Sequence, residues 1–144
     1  MLEKQGYLEI RYADESGFNL IPYVPYGWQR VNEPIRMKSE KSKSINTFGL
    51  MTRNNDLAAY TFYGSATADM IITFIDDFAQ NLKQRTAIII DNASVHHSDN
   101  FHNKIEEWEA IDLHVFYLPR YSPHLNIIEI LWRKMKYEWL KPED

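Results

Sequence analysis

Cysteine is absent from this chain of 144 residues. Its absence excludes disulfide bonds and thiolate metal sites and is typical of proteins in a reducing compartment. Long apolar runs are also missing. The longest buried-looking run, Ala87–Ile90, has strand length, far below the roughly 20 residues that cross a bilayer. Residues 1–6 contain no apolar signal core. We therefore expect no contact with a membrane and a cytoplasmic location.

Positive charge is scarce as well, because 16 basic and 20 acidic residues give a formal net charge of −4. This balance argues against nucleic-acid binding, since phosphate contacts usually come with a basic surface. The segment from Arg30 to Ser44 is different, with five basic residues against two acidic ones. It is either a solvated loop or a DNA contact, in which a base could stack on the nearby Trp28. The candidate contacts are Trp28, Arg30, Arg36, Lys38, Lys41 and Lys43.

The first half of the sequence has the short, loosely alternating apolar segments that are typical of strands. A turn signal at Asp14–Gly17 separates the first two of them. Together these segments predict an antiparallel meander. The predicted strands are Tyr7–Ala13, Phe18–Val24, Ile45–Thr52 and Leu57–Tyr63.

The hydrophobic period then changes, and helices alternate with strands. Predicted helices cover Ala66–Leu82, Ser98–Ala110 and Asn126–Leu140. Short strands are predicted at Thr86–Ile90 and Leu113–Leu118. A meander followed by strand-helix units predicts one α/β domain, residues 1–144, in which helices flank a mixed sheet. In such sheets, sites form at the carboxyl ends of the parallel strands.

Three carboxylates are candidates for chemistry at that edge. Asp14 and Asp91 each directly follow a predicted strand. If those strands are neighbours, their ends lie about 5 Å apart. The two carboxylates would then repel, and a divalent cation such as Mg²⁺ would remove the conflict. Glu129 lies in the first turn of the last predicted helix, off its apolar stripe. Taken singly, each Asp can equally be a turn or capping residue, and Glu129 a helix-dipole carboxylate paired with Arg133.

Polar side chains also follow Asp91. Asn92 is the next residue, and His96 comes four positions later. An imidazole near a metal site could orient water or hold a phosphate. A loop histidine without a role is the alternative.

Three motifs carry a resemblance to a known family. They are Tyr12–Ser16 (YADES), Ile90–His96 (IDNASVH) and Leu118–Glu129 (LPRYSPHLNIIE), in that order along the chain. Together they resemble the DDE domain of mariner-like transposases, in the bacterial insertion-sequence branch. The resemblance covers most of the chain, about Tyr7 to Lys136. Arg120 and Ile127 stand where this family often has proline, which affects only how the last helix begins.

The resemblance implies a ribonuclease H-like (retroviral integrase-like) fold with a mixed five-stranded sheet. It places the family's catalytic, metal-binding triad on Asp14, Asp91 and Glu129, with two Mg²⁺ or Mn²⁺ ions per active site. It further implies DNA cleavage and strand transfer at transposon ends, a TA target site, a homodimer in the synaptic complex and a location at the bacterial nucleoid. Supporting roles are expected for Asn92, His96 and Asn126, and a DNA contact for Arg120.

Two other classes of function stay open. One is a metal-dependent nuclease or resolvase of the same fold, which cuts DNA without strand transfer. The other is a non-catalytic transposase relic that binds DNA. The family also has helix-turn-helix DNA-binding domains ahead of the DDE domain, and we expect them to be absent from this chain.

Overall fold

The structure is a computed structural model that describes residues 2–19 and 44–140. Five strands and three α-helices follow one another in the described ranges. None of these helices is long and apolar enough to cross a bilayer. The elements are β1 (Glu9–Asn19), β2 (Ser44–Met51), β3 (Leu57–Phe62), α1 (Ala68–Ala79), β4 (Thr86–Ile90), α2 (Asp99–Glu109), β5 (Leu113–Tyr117) and α3 (Ile128–Lys134). Short 3-10 turns at Ser94–His97 and Pro123–Leu125 precede α2 and α3.

The strands form a mixed five-stranded sheet in the order β3-β2-β1-β4-β5. β1 pairs antiparallel with β2, and β2 antiparallel with β3. On its other side β1 pairs parallel with β4, which pairs parallel with β5. The predicted mixed sheet with flanking helices is therefore confirmed. Its strands β1 and β4 are parallel neighbours, which meets the condition stated for the proximity of Asp14 and Asp91.

Side chains alternate along each strand, so that each face of the sheet presents its own set of side chains. Different helices pack on the two faces. On one face, Ala13 packs in a large core with residues of α1 and α2. On the other face, Tyr12 packs in a smaller core with Ile128 and Trp132 of α3. Ser98 caps α2 by accepting a hydrogen bond from the backbone N–H of Phe101, as its position in the sequence predicts.

The predicted turn at Asp14–Gly17 is wrong, since β1 continues through these residues to Asn19. Its hydrogen-bond ladder with β2 runs unbroken from Tyr12 to Asn19, and this pairing overrides the local preference for a turn. The strand predicted at Phe18–Val24 begins within β1, and the rest of it lies outside the described residues.

The last helix differs from its prediction at both ends. α3 begins at Ile128 rather than Asn126, after the 3-10 turn. Beyond Lys134 the helix widens into a π-helical turn, Met135–Trp139. Trp139, at the end of this turn, is 56% exposed.

Candidate active site

Asp14 and Asp91 occupy equivalent places on neighbouring strands. The parallel register pairs Tyr12 with Ile89, and two residues further along the chain come Asp14 and Asp91. Tyr12 and Ile89 both belong to the core under α3. By alternation, the two carboxylates are therefore directed to that same face. Asp91 follows the last residue of β4 as predicted, whereas Asp14 lies inside β1, in the part that extends beyond the end of β4.

Glu129 reaches this edge because α3 packs closely on the sheet. Gly49 of β2, paired with Asp14, makes the close approach possible. A Cβ atom at this position would lie 2.8 Å from the ring of Trp132 and 2.9 Å from Cδ1 of Ile128. Glu129 lies in the first turn of α3 and is exposed, as its position off the apolar stripe predicts.

Asn126 ties the start of α3 to β1. Its side chain is buried, and Nδ2 donates a hydrogen bond of 2.9 Å to the backbone carbonyl of Ala13, next to Asp14. The backbone carbonyl of Asn126 accepts a hydrogen bond of 3.2 Å from the backbone N–H of Glu129. One residue thus connects the backbone at the first carboxylate to the backbone at the third.

The pKa of Asp14 reflects both its burial and the carboxylates around it. Burial first, and then the charges of Glu15, Asp91 and Glu129, raise the pKa of this carboxyl to about 7. Burial and the charge of Asp91 also raise the pKa of Glu129, although Arg133 acts in the opposite direction. Two groups that resist ionisation beside a third carboxylate form an electrostatic conflict that a cation would relieve.

Asp91 is stabilised as a carboxylate by a different neighbour. A hydrogen bond from His96 lowers the pKa of Asp91 against the effect of burial, with help from the charge of His96 and the backbone N–H of Ala93. Nδ1 of His96 lies 2.9 Å from Oδ1 of Asp91, and the N–H of Ala93 donates to the same oxygen at 3.2 Å.

His96 is fully buried between two carboxylates. Its Nε2 lies 3.0 Å from Oε1 of Glu15, opposite the contact between Nδ1 and Asp91. Burial lowers the pKa of this imidazole, but hydrogen bonds to Asp91 and Glu15 outweigh burial and raise the pKa to about 9. The two carboxylates therefore favour the protonated ring, in which both nitrogens can donate.

The donor set at this edge fits a hard divalent cation. Asp14, Asp91 and Glu129 offer only carboxylate oxygens, the ligands that Mg²⁺ and Mn²⁺ prefer. In the described parts of the chain, however, no three His, Asp or Glu side chains are placed to hold a metal ion together. Mg²⁺ usually takes one or two carboxylates and completes its shell with water and phosphate, which suits the arrangement of Asp14 and Asp91.

A cleft of about 400 Å³ lies beside the carboxylates. Asp91 and Glu129 line it, together with Asn92, Asn126 and the loop from Leu118 to Pro123. Arg120 is an exposed cation of this loop. The structure thus brings Asn92, Asn126 and Arg120 to one cleft. The other candidate DNA contacts, Trp28, Arg30, Arg36, Lys38, Lys41 and Lys43, lie outside the described residues.

Two features of the site were missed by sequence reasoning. Glu15 stands in the first motif beside Asp14, but its hydrogen bond to His96 joins positions 81 residues apart. Tyr117, which ends β5, donates a hydrogen bond to the backbone carbonyl of His96 and stacks on the ring of His97. Only the adjacency of Glu15 to Asp14 was a signal in the sequence.

Comparison with solved structures gives the same fold at low sequence identity. The Mos1 transposase paired-end complex with left transposon end has a TM-score of 0.68 and 15% identity, over 94% of this chain and 43% of that chain. The mariner Mos1 paired-end complex with Mg has a TM-score of 0.62 and 14% identity, over 94% of this chain and 44% of that one. The chain thus spans less than half the length of these transposase chains.

Retroviral integrases provide a second similar group. The catalytic core domain of BIV integrase has a TM-score of 0.52 and 12% identity, over 90% of this chain and 66% of that chain. These likenesses confirm the ribonuclease H-like fold. No curated protein matches the sequence. A family model does match it, over residues 9–144, and is described as DDE superfamily endonuclease. The chain therefore belongs to the DDE superfamily endonuclease family.

Proposed function

We propose that this chain is the catalytic core of a transposase, which cleaves DNA at transposon ends and joins the freed 3′ ends to target DNA. The observation that carries the proposal is the placement of Asp14 and Asp91 at equivalent positions of two parallel strands, on the face where α3 brings Glu129. The family membership supports this assignment of the three carboxylates.

Asp14, Asp91 and Glu129 are proposed to hold two divalent metal ions, Mg²⁺ or Mn²⁺. The similar mariner Mos1 complexes were solved with Mg and with Mn. When bound, such ions supply the positive charge that activates a water or 3′-hydroxyl nucleophile and stabilises the leaving oxygen. Burial first, and then the charges of neighbouring carboxylates, raise the pKa values of Asp14 and Glu129, and a bound cation would favour the ionised forms that hold it.

The remaining residues of the cleft are proposed to position the backbone and the substrate. Asn126 fixes the backbone at Asp14 relative to Glu129 through its bond to Ala13. Asn92 lines the cleft and is hydrogen-bonded to His97. Arg120, exposed on the loop beside Glu129, is suited to bind a phosphate of the cleaved strand.

The DNA partners follow from the reaction. We infer that the protein binds transposon ends and a TA target, and that two copies act together. A reaction at two ends requires both to be held at once, and the similar Mos1 complexes are paired-end complexes. A protein with these substrates would work at the bacterial nucleoid, in the cytoplasm.

Strand transfer is the reaction that tests this proposal. We would incubate the chain with Mn²⁺, a labelled duplex taken from the DNA that flanks its gene, and a supercoiled plasmid. We expect nicking at the duplex end and joining of labelled 3′ ends to the plasmid. Asp91→Asn should abolish both reactions, and the exposed substitution Glu106→Gln on α2 should leave both unchanged.

Each rival function predicts another result in the same assay. A nuclease or resolvase would nick the DNA in a manner dependent on Asp91 without joining any label to the plasmid. A relic would bind the duplex but neither nick nor join it. Either result would replace the transposase proposal.

A further inference from the structure

His96 has the most constrained environment of the residues around the three carboxylates. Its side chain has no solvent exposure, and both ring nitrogens lie within hydrogen-bond distance of a carboxylate oxygen. The ring also packs against Phe101 of α2, with the centroids 5.7 Å apart. Its backbone is held from both sides, since its N–H donates to Ala93 and its carbonyl accepts from the hydroxyl of Tyr117. The imidazole is therefore held from several sides.

The two carboxylates at the ring come from different elements. Asp91 directly follows β4, whereas Glu15 lies on β1 beside Asp14. Successive side chains of a strand point to opposite faces, so Asp14 is directed to the α3 face and Glu15 away from it. Glu15 cannot then join Asp14 on the same side of the sheet. It reaches His96 instead, with 19% of its side chain exposed.

The polar contacts described for the Asp91 side chain end on one oxygen, and Nδ1 of His96 also lies 3.3 Å from the backbone carbonyl oxygen of Asp91. Nδ1 of His96 lies 2.9 Å from Oδ1, and the backbone N–H of Ala93 donates to Oδ1 at 3.2 Å. Two contacts on a single oxygen restrict the rotation of the carboxylate group. They also leave the second oxygen, Oδ2, to other ligands.

We propose that Glu15 is a positioning residue, which anchors His96 and through it presents Oδ2 of Asp91 to the divalent cation. This inference rests on the proposed function, because it assumes that Asp91 is a metal ligand. Glu15 itself does not bind the cation. Partners of this kind, one step removed from a ligand, orient it, and their loss typically weakens metal binding by about ten- to a hundredfold.

Two conservative variants test the position and the charge of the Glu15 side chain separately. Glu15→Gln keeps the length of the side chain and loses its charge, and the amide can bond to Nε2 in either protonation state of the ring. Glu15→Asp keeps the charge but is shorter by one methylene, so that it no longer reaches Nε2. A positioning role predicts that Glu15→Gln binds Mn²⁺ nearly as well as the unmutated chain. It predicts that Glu15→Asp binds about ten- to a hundredfold more weakly.

Mn²⁺ binding is measured by the EPR signal of the free ion, without DNA, at a temperature where melting curves show every variant folded. Glu106→Asp, the same change at an exposed position of α2, is the matched control and should bind like the unmutated chain. Melting curves in EDTA report the stability of each variant separately. A purely structural role would lower stability and leave the Mn²⁺ affinity of the folded protein intact.

The outcomes distinguish this inference from the proposed function. Equal weakening in Glu15→Gln and Glu15→Asp would mean that charge or direct ligation matters, and unchanged affinity in both would mean no role. Either result overturns the inference while Asp91→Asn still abolishes binding. An unmutated chain that binds no Mn²⁺, or binds it equally well after Asp91→Asn, overturns the proposed function together with the inference.

Discussion

At the scale of single residues, each of the three carboxylates has a different environment. Asp14 is half-buried on a central strand and has a pKa raised to about 7. Asp91 is held by His96 and has a lowered pKa. Glu129 is exposed at the start of a helix. Substitutions at these positions should therefore have different effects on stability, although each should abolish catalysis.

Glu129→Gln should separate folding from activity. The substitution keeps the length of the side chain and loses a favourable helix-dipole interaction of about 0.3–1 kcal/mol. Removing the repulsion from Asp91 offsets part of that loss. We expect an almost unchanged melting temperature and no Mn²⁺-dependent nicking or strand transfer. Retention of full activity would show that Glu129 is not the third carboxylate of the site.

Asp14 should make the stability of the metal-free protein depend on pH. Its folded-state pKa of about 7 lies above the unfolded value of 3.8, so the folded state retains the proton over this interval. The stabilisation that this proton gives the folded state is complete below pH 4 and is lost as the pH rises to about 7. Asp14→Asn removes this loss. We compare the free energy of unfolding of the variant with that of the unmutated chain at each pH. From pH 5 to pH 8, this difference should shift in favour of the variant by on the order of 2–4 kcal/mol.

Denaturant unfolding in EDTA at both pH values measures this difference. Taking the difference between the two proteins cancels the contribution of His96, whose raised pKa of about 9 also favours folding at lower pH. Added Mn²⁺ should stabilise the unmutated chain and not Asp14→Asn, because the ion binds the folded state alone. An identical pH profile in the two proteins would contradict the environment described for Asp14.

At the scale of secondary structure, most elements and the places of the candidate carboxylates in the fold could be predicted from the sequence. The change of hydrophobic period separates strands from helices, and Asp91 follows β4 as expected. Local sequence preferences gave the wrong structure where strand pairing determines the backbone conformation. The turn residues Asp14–Gly17 lie within a strand because β2 pairs with them along the whole segment. Similarly, the contact of Glu15 with His96 depends on a fold that joins distant positions.

Gly49 determines how closely α3 approaches the sheet. Gly49→Ala places a methyl group 2.8–2.9 Å from Trp132 and Ile128, and overpacking of this kind typically costs about 1–3 kcal/mol. The displaced helix carries Glu129, so we expect Mn²⁺-dependent nicking to fall even where the variant remains folded. Thermal melts and nicking rates measured at one temperature separate the two effects.

A double-mutant cycle provides the control for Gly49→Ala. Trp132→Phe removes the ring atoms nearest to the new methyl group, together with a buried indole N–H that has no hydrogen-bond partner in the described structure. Gly49→Ala should therefore cost less stability in the Trp132→Phe background than in the unmutated chain. Additive losses would show that the methyl group and the ring do not meet.

At the scale of the whole molecule, the proposed function requires an acidic protein to bind an acidic substrate. The net charge is −4, and the cleft is lined by carboxylates. Both features repel DNA. Divalent cations would neutralise the site locally, but they cannot hold a duplex by themselves. The source of attraction that the sequence offers is the segment from Arg30 to Ser44, with its five basic residues, for which DNA contact stays a prediction.

Salt dependence of DNA binding tests that segment. Each phosphate neutralised by a basic side chain contributes about −0.9 to the slope of log K against log salt concentration. Changing Arg36, Lys38, Lys41 and Lys43 together to Ala should thus make the slope shallower by about three to four. It should weaken binding about equally for all DNA sequences, because phosphate contacts carry no sequence information.

Fluorescence anisotropy of a labelled duplex at several salt concentrations measures this slope. The control changes Lys4 and Lys83 to Ala, which removes two basic side chains near the opposite edge of the sheet, where β1 and β4 begin. This control should leave the slope as it is, since those residues lie far from the carboxylates along both strands. If the fourfold variant instead binds with the slope of the unmutated chain, the segment is a solvated loop. Attraction for DNA would then have to come from the cleft itself, through Arg120 and bound cations.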